Sequence, residues 1–314
     1  MDSVAINTLN SFDIDSIPNL DVAVIGALDL FSSVSLPSID INAYKKPLIV
    51  GSGNAEATGR IMFRDKDAVF ASESDYESKL ININAIDGVV IISASGGKHA
   101  PIIAKKCHEL GKHVTLITST ANSPASTELD HEHQYDEYVF PKNREPYTYN
   151  TSTYMAMILG ATQEDPRAIK HYIETVTSTL EFPDFSNYNK YYLIVPAKFN
   201  GIIRMLQVKF IELFGRNIAR DIETSEYVRH ATTVAPSDEL FISFGEENTT
   251  WGEVQNRLFV PLPEGADYAS MMAVGYYLVS QIQKTYSELF KENIASYTEA
   301  VSRIFNEEIK PIVG

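Results

Sequence analysis

Three short stretches of this sequence carry side chains whose types and spacing could do chemistry. In NGIIRMLQVKFIELFGRNIA, Lys209 and Glu212 stand three residues apart, which sets an ammonium and a carboxylate on one face of a helix. In GSGN, residues 51–54, and SASGGKHAP, residues 93–101, serines and glycines crowd the end of an apolar run. A phosphate needs many hydrogen-bond donors on a backbone it can approach closely. Glycine permits the approach, serine hydroxyls add donors and a lysine adds charge. Ser52, Gly53, Ser93, Ser95, Gly96, Gly97 and Lys98 are therefore candidate anion ligands. Each stretch also has a plainer reading. Lys209 and Glu212 would make a solvated salt pair worth some tenths of a kcal/mol, and Ser93 or Ser95 would serve as a helix cap.

These residues depend on the elements around them. PLIVGSGNAEATGRIMF reads as strand, turn and helix; GVVIISASGGKHAPIIAKKCHELG repeats that grammar, HVTLITST is a further strand, and EYVFP at 137–141 another. Short runs rich in Val and Ile with helices between them imply crossovers and a parallel sheet covered on both faces. In such sheets ligands bind at the carboxyl ends of strands, where both serine turns fall. TSTYMAMILGATQEDPRAIKHYIETVTSTL reads as helix and EFPDFSNYNK as a linker. A second series follows: strand YYLIVPA, the helix with Lys209 and Glu212, strands LFISFG and RLFVPLP, and C-terminal helices from SMMAVGYYLV onward. The expected architecture is α/β, two tandem three-layer α/β/α sandwiches with parallel sheets. Residues 1–45 form an N-terminal segment that contains a helix, NLDVAVIGALDLF; 46–180 form a first domain and 181–314 a second with C-terminal helices.

Composition narrows the function. The 314 residues carry 26 basic and 41 acidic side chains, a net charge of −15, which opposes general attraction to nucleic acid or to an anionic membrane. The single Cys107 forms no internal disulfide, and no stretch approaches the roughly 20 apolar residues that cross a bilayer. With no basic-then-apolar leader at the start of the sequence, a cytoplasmic location is expected. GSGNAEATG misses the dinucleotide fingerprint because Glu56 holds its third glycine position, and no Walker-type phosphate loop is present. In DHEHQYDE, His131 and His133 among acids have the composition of a metal site and equally that of a solvated loop. The expectation is no metal and no cofactor. Cys107 reads as a packed residue, His99 and His108 as possible flanks of the serine loop, and Tyr276, Tyr277, Tyr286 and Phe290 as core or subunit interface.

VIISASGGKHAPIIAKKCHELGKHVTLITSTANSPAS resembles the phosphosugar loop and following helix-strand unit of the SIS, or sugar isomerase, domain. Ser93, Ser95, Gly96, Gly111, Ile117 and Thr118 match that pattern, with Ser119 in place of an Asn; IVGSGNA resembles the family's first glycine-serine turn. REPYTYNTSTYMAMILG resembles the segment in which a Glu and a cluster of small hydroxyls, here including Thr151, precede a long helix. VKFIELFGRNIARDIETSEYVRHAT is similar to the second SIS domain of the isomerase half of glucosamine-6-phosphate synthase and of related deaminases and deglycases. The resemblance covers about residues 46–280.

What the resemblance implies is an enzyme that isomerises, deaminates or deglycates a ketose or amino-sugar phosphate without a cofactor. Glu212 would shuttle a proton between sugar carbons, His230 would help open the ring, and Lys209 would bind or polarise the sugar. Ser52, Ser93 and Ser95, with the glycines, Lys98 and Thr151, would hold the phosphosugar. It also implies a homodimer, with the histidine donated across the interface. The sequence departs from the pattern at several places. His230-Ala231-Thr232 replaces a common H-G-P, Lys98 replaces a hydroxyl, Gly53 replaces a serine, the hydroxyl cluster has no lysine, and only Lys310 stands near the position of a C-terminal catalytic lysine. The competing expectation is a non-catalytic phosphosugar-binding or regulatory protein, which needs the serine loop but neither Glu212 nor His230.

Overall fold

The computed structural model describes residues 3–129, 135–234 and 238–314. His131 and His133 lie outside the described residues. The chain divides into two compact units: one holds residues 34–142 and 153–163, the other residues 1–33, 143–152 and 164–314.

Along the chain, α1 (Val4–Ser11) and α2 (Leu20–Ser33) come first, so NLDVAVIGALDLF is a helix as its pattern predicts. The first sheet and its helices follow: β1 (Pro47–Val50), α3 (Asn54–Met62), β2 (Val69–Ala71), α4 (Tyr76–Asn82), β3 (Gly88–Ile92), α5 (Ala100–Glu109), β4 (Val114–Thr118), α6 (Pro124–Thr127) and β5 (Asp136–Val139). All pairings are parallel, in the order β2-β1-β3-β4-β5. β1, β3 and β4 are buried at every residue, as the unbroken PLIV, GVVII and VTLIT runs require of strands covered on both faces. Leu48, Val50, Val89, Ile91, Leu116, Ile103 and Cys107 share one core.

The second unit begins its sheet later. β6 (Glu145–Pro146) leads to α7 (Thr151–Thr162), which from Thr153 onward belongs to the unit of the first sheet, then come α8 (Pro166–Thr175), β7 (Lys190–Val195), α9 (Ile203–Phe214), β8 (Ala219–Thr224), α10 (Val228–Ala231), β9 (Glu239–Phe244), β10 (Arg257–Val260), α11 (Tyr268–Thr285), α12 (Ser287–Lys291), α13 (Ile294–Phe305) and β11 (Ile312–Val313). β7 to β10 form a parallel sheet in the order β10-β9-β7-β8. Counted from its own first strand, this order is second, first, third, fourth, the same as in the first sheet. β11 pairs antiparallel with β6.

Two local features differ from the pattern of the sequence. The helical stretch from Thr151 is broken between α7 and α8, where Gln163 takes a left-handed φ of 58° and Asp165 caps the new helix just before Pro166. A proline disfavours helical backbone before it and suits the first helical position, so the break falls where its chemistry puts it. The segment from Ala219 to Thr224, between α9 and His230, is a full strand at a sheet edge.

Candidate functional site

In the order β2-β1-β3-β4, the connection from β1 runs to the strand on one side and the connection from β3 to the strand on the other, so the carboxyl ends of β1 and β3 flank a topological switch point, where open parallel sheets bind ligands. Residues 51–54 leave β1 there and residues 93–99 leave β3. Gly51 is a close-approach glycine: an added Cβ would lie 2.7 Å from the Glu56 nitrogen and 2.8 Å from the Ala55 carbonyl carbon. Gly53 and Gly96 have φ of 58° and 61°, and a Cβ on Gly96 would collide with the Ser123 side chain. The Ala125 N–H donates to the Gly96 carbonyl at 2.8 Å, which ties the loop after β3 to the start of α6.

The serines are not helix caps. Ser93 Oγ accepts the Gly96 N–H at 3.1 Å and Ser95 Oγ accepts the Gly97 N–H at 3.2 Å. The residue at the α5 N-cap position is His99, whose side chain makes no capping bond, and α3 likewise starts after Gly53 with no side-chain cap. Four other helices are capped by side chains, α1 by Ser3, α6 by Ser123, α8 by Asp165 and α11 by Asp267, whereas α4, α9, α10, α12 and α13, like α3 and α5, are not. Two helix N-termini are thus left open at one switch point, and such ends favour anions. Among the described residues, Ser93 and Ser95 act only as acceptors, so their own protons remain for a ligand. Lys98 is exposed at a left-handed φ of 52°. Ser52 is different: its hydroxyl already donates to the Glu73 carboxylate, in the turn after β2.

The second unit contains a buried charge centre. Lys209 is fully buried on α9, and its Nζ lies 2.8 Å from each of three oxygens: the carbonyls of Thr148 and Tyr149 and Oε2 of Glu212. Three acceptors match its three protons, and the Tyr149 and Tyr276 rings lie within 6 Å of it. The turn it holds is strained. Thr148, a β-branched residue, has φ 77° and Asn150 has φ 45°. The conformation is held from several sides, because Tyr149 Oη also donates to the Pro18 carbonyl and accepts from Gln283 Nε2.

Next to this turn stands Glu145, which is buried. Its carboxylate accepts the Thr151 N–H at 2.6 Å and the Ser152 N–H at 2.7 Å, so it closes the N-terminus of α7. Burial pushes the carboxyl of Glu145 above the ordinary range, against hydrogen bonds from Ser152 and Thr151 and the charge of Lys209. Burial raises Glu212 in the same way, opposed by Lys209. Glu212 keeps about a fifth of its side chain exposed. Two carboxylates and one ammonium in a dry setting favour a retained proton, and a carboxyl with a raised pKa that reaches solvent can both give and take one.

The structure therefore brings Lys209 and Glu212 together and gathers Ser52, Gly53, Ser93, Ser95, Gly96, Gly97 and Lys98 at the carboxyl end of the first sheet. Thr151 lies in the other unit, against Glu145. His230 sits exposed on α10 with its Nε2 accepting from Arg229 Nε at 3.1 Å and its ring edge-on to Tyr227. Lys310 is exposed and lies 3.6 Å from Glu308. Glu145 is the Glu before the hydroxyl cluster to which the resemblance points, with no role assigned to it, and Glu73 is the charged residue that nothing in the sequence singles out. Among the described residues, no group of three or more His, Cys, Asp or Glu converges as metal ligands, and no helix is long and apolar enough to cross a membrane.

No family model and no curated protein matches the sequence. Solved structures do match the fold. Glucosamine-6-phosphate deaminase from Thermotoga maritima superposes with a TM-score of 0.59 at 13% identity, over 86% of this chain and 95% of that one. The C-terminal domain of glucosamine-fructose-6-phosphate aminotransferase from Francisella tularensis gives 0.56 at 12% identity, over 93% and 97%. Tagatose-6-phosphate ketose/aldose isomerase from Escherichia coli gives 0.54 at 12%, over 89% and 90%. At this identity the likeness is one of fold: the chain has the α/β fold of the sugar isomerase proteins.

Proposed function

We propose that this protein binds a phosphosugar and catalyses proton transfer between neighbouring carbons of a ketose or amino-sugar phosphate, as an isomerase, deaminase or deglycase. The observation that carries the reading is Glu212: a carboxyl whose pKa is raised by burial, fixed at one oxygen by a buried ammonium and open to solvent over part of its surface. In the open-chain sugar, the Glu212 carboxylate takes the proton on the carbon next to the carbonyl while the carbonyl oxygen takes a proton from water, giving the enediol; Glu212 then delivers its proton to the former carbonyl carbon as the other hydroxyl loses its proton to water, which leaves the carbonyl one carbon along. Lys209 holds Glu212 and the 148–149 turn in place; with its three protons committed, it is a positioning residue. The serine loop after β3 and the open end of α5 carry the phosphate. We assign ring opening to His230, whose exposure on α10 suits donation to a second copy of the chain in a homodimer. The fold likeness to a deaminase and a ketose/aldose isomerase supports the substrate class.

A second reading, a phosphosugar-binding protein without catalysis, is favoured by the commitment of Lys209 and of the Ser52 hydroxyl to internal partners. The test is to incubate the protein with hexose, pentose and hexosamine 6-phosphates and follow ketose formation and ammonia release. Turnover of one substrate that Glu212→Gln abolishes supports the enzyme. Thermal stabilisation by a phosphosugar with no turnover supports the binding protein.

A further inference from the structure

β1 and β2 are adjacent parallel strands, with Val50 opposite Ala71, and the Gly51 N–H donates to the Ala71 carbonyl at 3.3 Å. The turns that follow them, carrying Ser52 and Glu73, therefore emerge side by side. The turn of Glu73 is braced: the Ser72 N–H donates to Asp75 Oδ1 at 2.8 Å, the Tyr76 N–H donates to the Ser72 carbonyl at 3.2 Å, and Asp75 pairs with Lys79. From this turn the Glu73 carboxylate reaches back and takes the Ser52 hydroxyl proton. That bond, the backbone N–H of Glu73 and the charge of His99 hold its carboxyl below the ordinary range, so the group is an anion at neutral pH.

An anion is thus already present at the first serine turn, on the hydroxyl that a phosphate would use and in front of an α3 N-terminus that no side chain caps. We propose that Glu73 is an internal competitor at this turn, a carboxylate that holds Ser52 in place of an incoming phosphate and so weakens binding of doubly charged ligands. The inference rests on the phosphosugar reading above. A carboxylate and a phosphate cannot share one hydroxyl proton, and like charges a few ångströms apart repel. Glu73 is exposed, so solvent screens it and its effect is moderate. The ligand therefore relies on the loop after β3, and Glu73 tunes affinity from the side.

The experiment is calorimetric titration of inorganic phosphate and of fructose 6-phosphate into the full chain, its Glu73→Gln and Glu73→Ala variants, and Ser52→Ala. The expected result is about three- to tenfold tighter binding of both ligands by both Glu73 variants, with no gain for Ser52→Ala, which loses the donor while the carboxylate remains. Equal affinity in wild type and Glu73 variants overturns the inference and leaves the phosphosugar reading standing. Weaker binding by the Glu73 variants also overturns it, because Glu73 then contacts the ligand itself. Absence of binding by every protein overturns both.

Discussion

Lys209 Nζ sits 2.8 Å from Glu212 Oε2, one helical turn away on α9, and directs its other two protons at the carbonyls of Thr148 and Tyr149. The pair is buried on the lysine side and open on the glutamate side. One residue is sealed in the interior and the other keeps access to solvent.

Removing Lys209 leaves the part-exposed Glu212 carboxylate and the Thr148 and Tyr149 carbonyls without their donor. Lys209→Met is expected to cost about 3–5 kcal/mol of stability, far more than an exposed ion pair of the same spacing. Chemical denaturation of the two proteins checks this, and a loss below about 1 kcal/mol would contradict the buried geometry.

The raised pKa of Glu212 has a signed consequence for stability. A carboxyl that titrates higher in the folded than in the unfolded state contributes fully below its unfolded value, ordinarily 4.5, and that contribution fades as pH rises through the folded value. Melting temperature measured from pH 4 upward should therefore fall less steeply in Glu212→Gln than in wild type. Parallel profiles would mean that Glu212 titrates normally.

Gly96 combines a left-handed φ with a side-chain wall, Ser123, where a Cβ would go. Gly96→Ala is expected to destabilise the protein by about 1–3 kcal/mol and to weaken phosphate binding by displacing the loop. Denaturation and calorimetry together read both effects.

Cys107 lies on the buried face of α5, in the core, and burial pushes its thiol up to about 12. It should resist alkylation by iodoacetamide at pH 8 until the protein is unfolded. Fast labelling of the native protein would contradict its packing.

Much of this was legible in the sequence because the signals are local. The unbroken runs PLIV, GVVII and VTLIT mark buried parallel strands, and Gly111 and Gly215, at φ of 62° and 57°, end helices where glycine is expected. In the two parallel sheets the strands that no run announces are β2 and β8, each the edge strand beside the first strand of its sheet. β2 has three residues, and β8, with the sequence ARDIET, is polar along most of its length because an edge strand is half solvated. Missing β2 hides Glu73, which reaches Ser52 only because the two strands are neighbours. For Glu145 the resemblance marks a Glu before α7 but not its contacts, because its partners, the Thr151 and Ser152 amides, are backbone groups whose position depends on a strained turn. The spacing of Lys209 and Glu212 shows that they meet, but only the fold shows which of the two is sealed.

The proposed chemistry requires that Glu212 move a proton on a sugar carbon. Sugar phosphates incubated with the protein in heavy water and followed by proton NMR report this before any product accumulates. Wild type is expected to exchange deuterium into the carbon next to the carbonyl of at least one ketose or amino-sugar phosphate, while Glu212→Gln binds the same compound and exchanges none. Exchange that persists undiminished in Glu212→Gln, or a bound phosphosugar that wild type never labels, would contradict it.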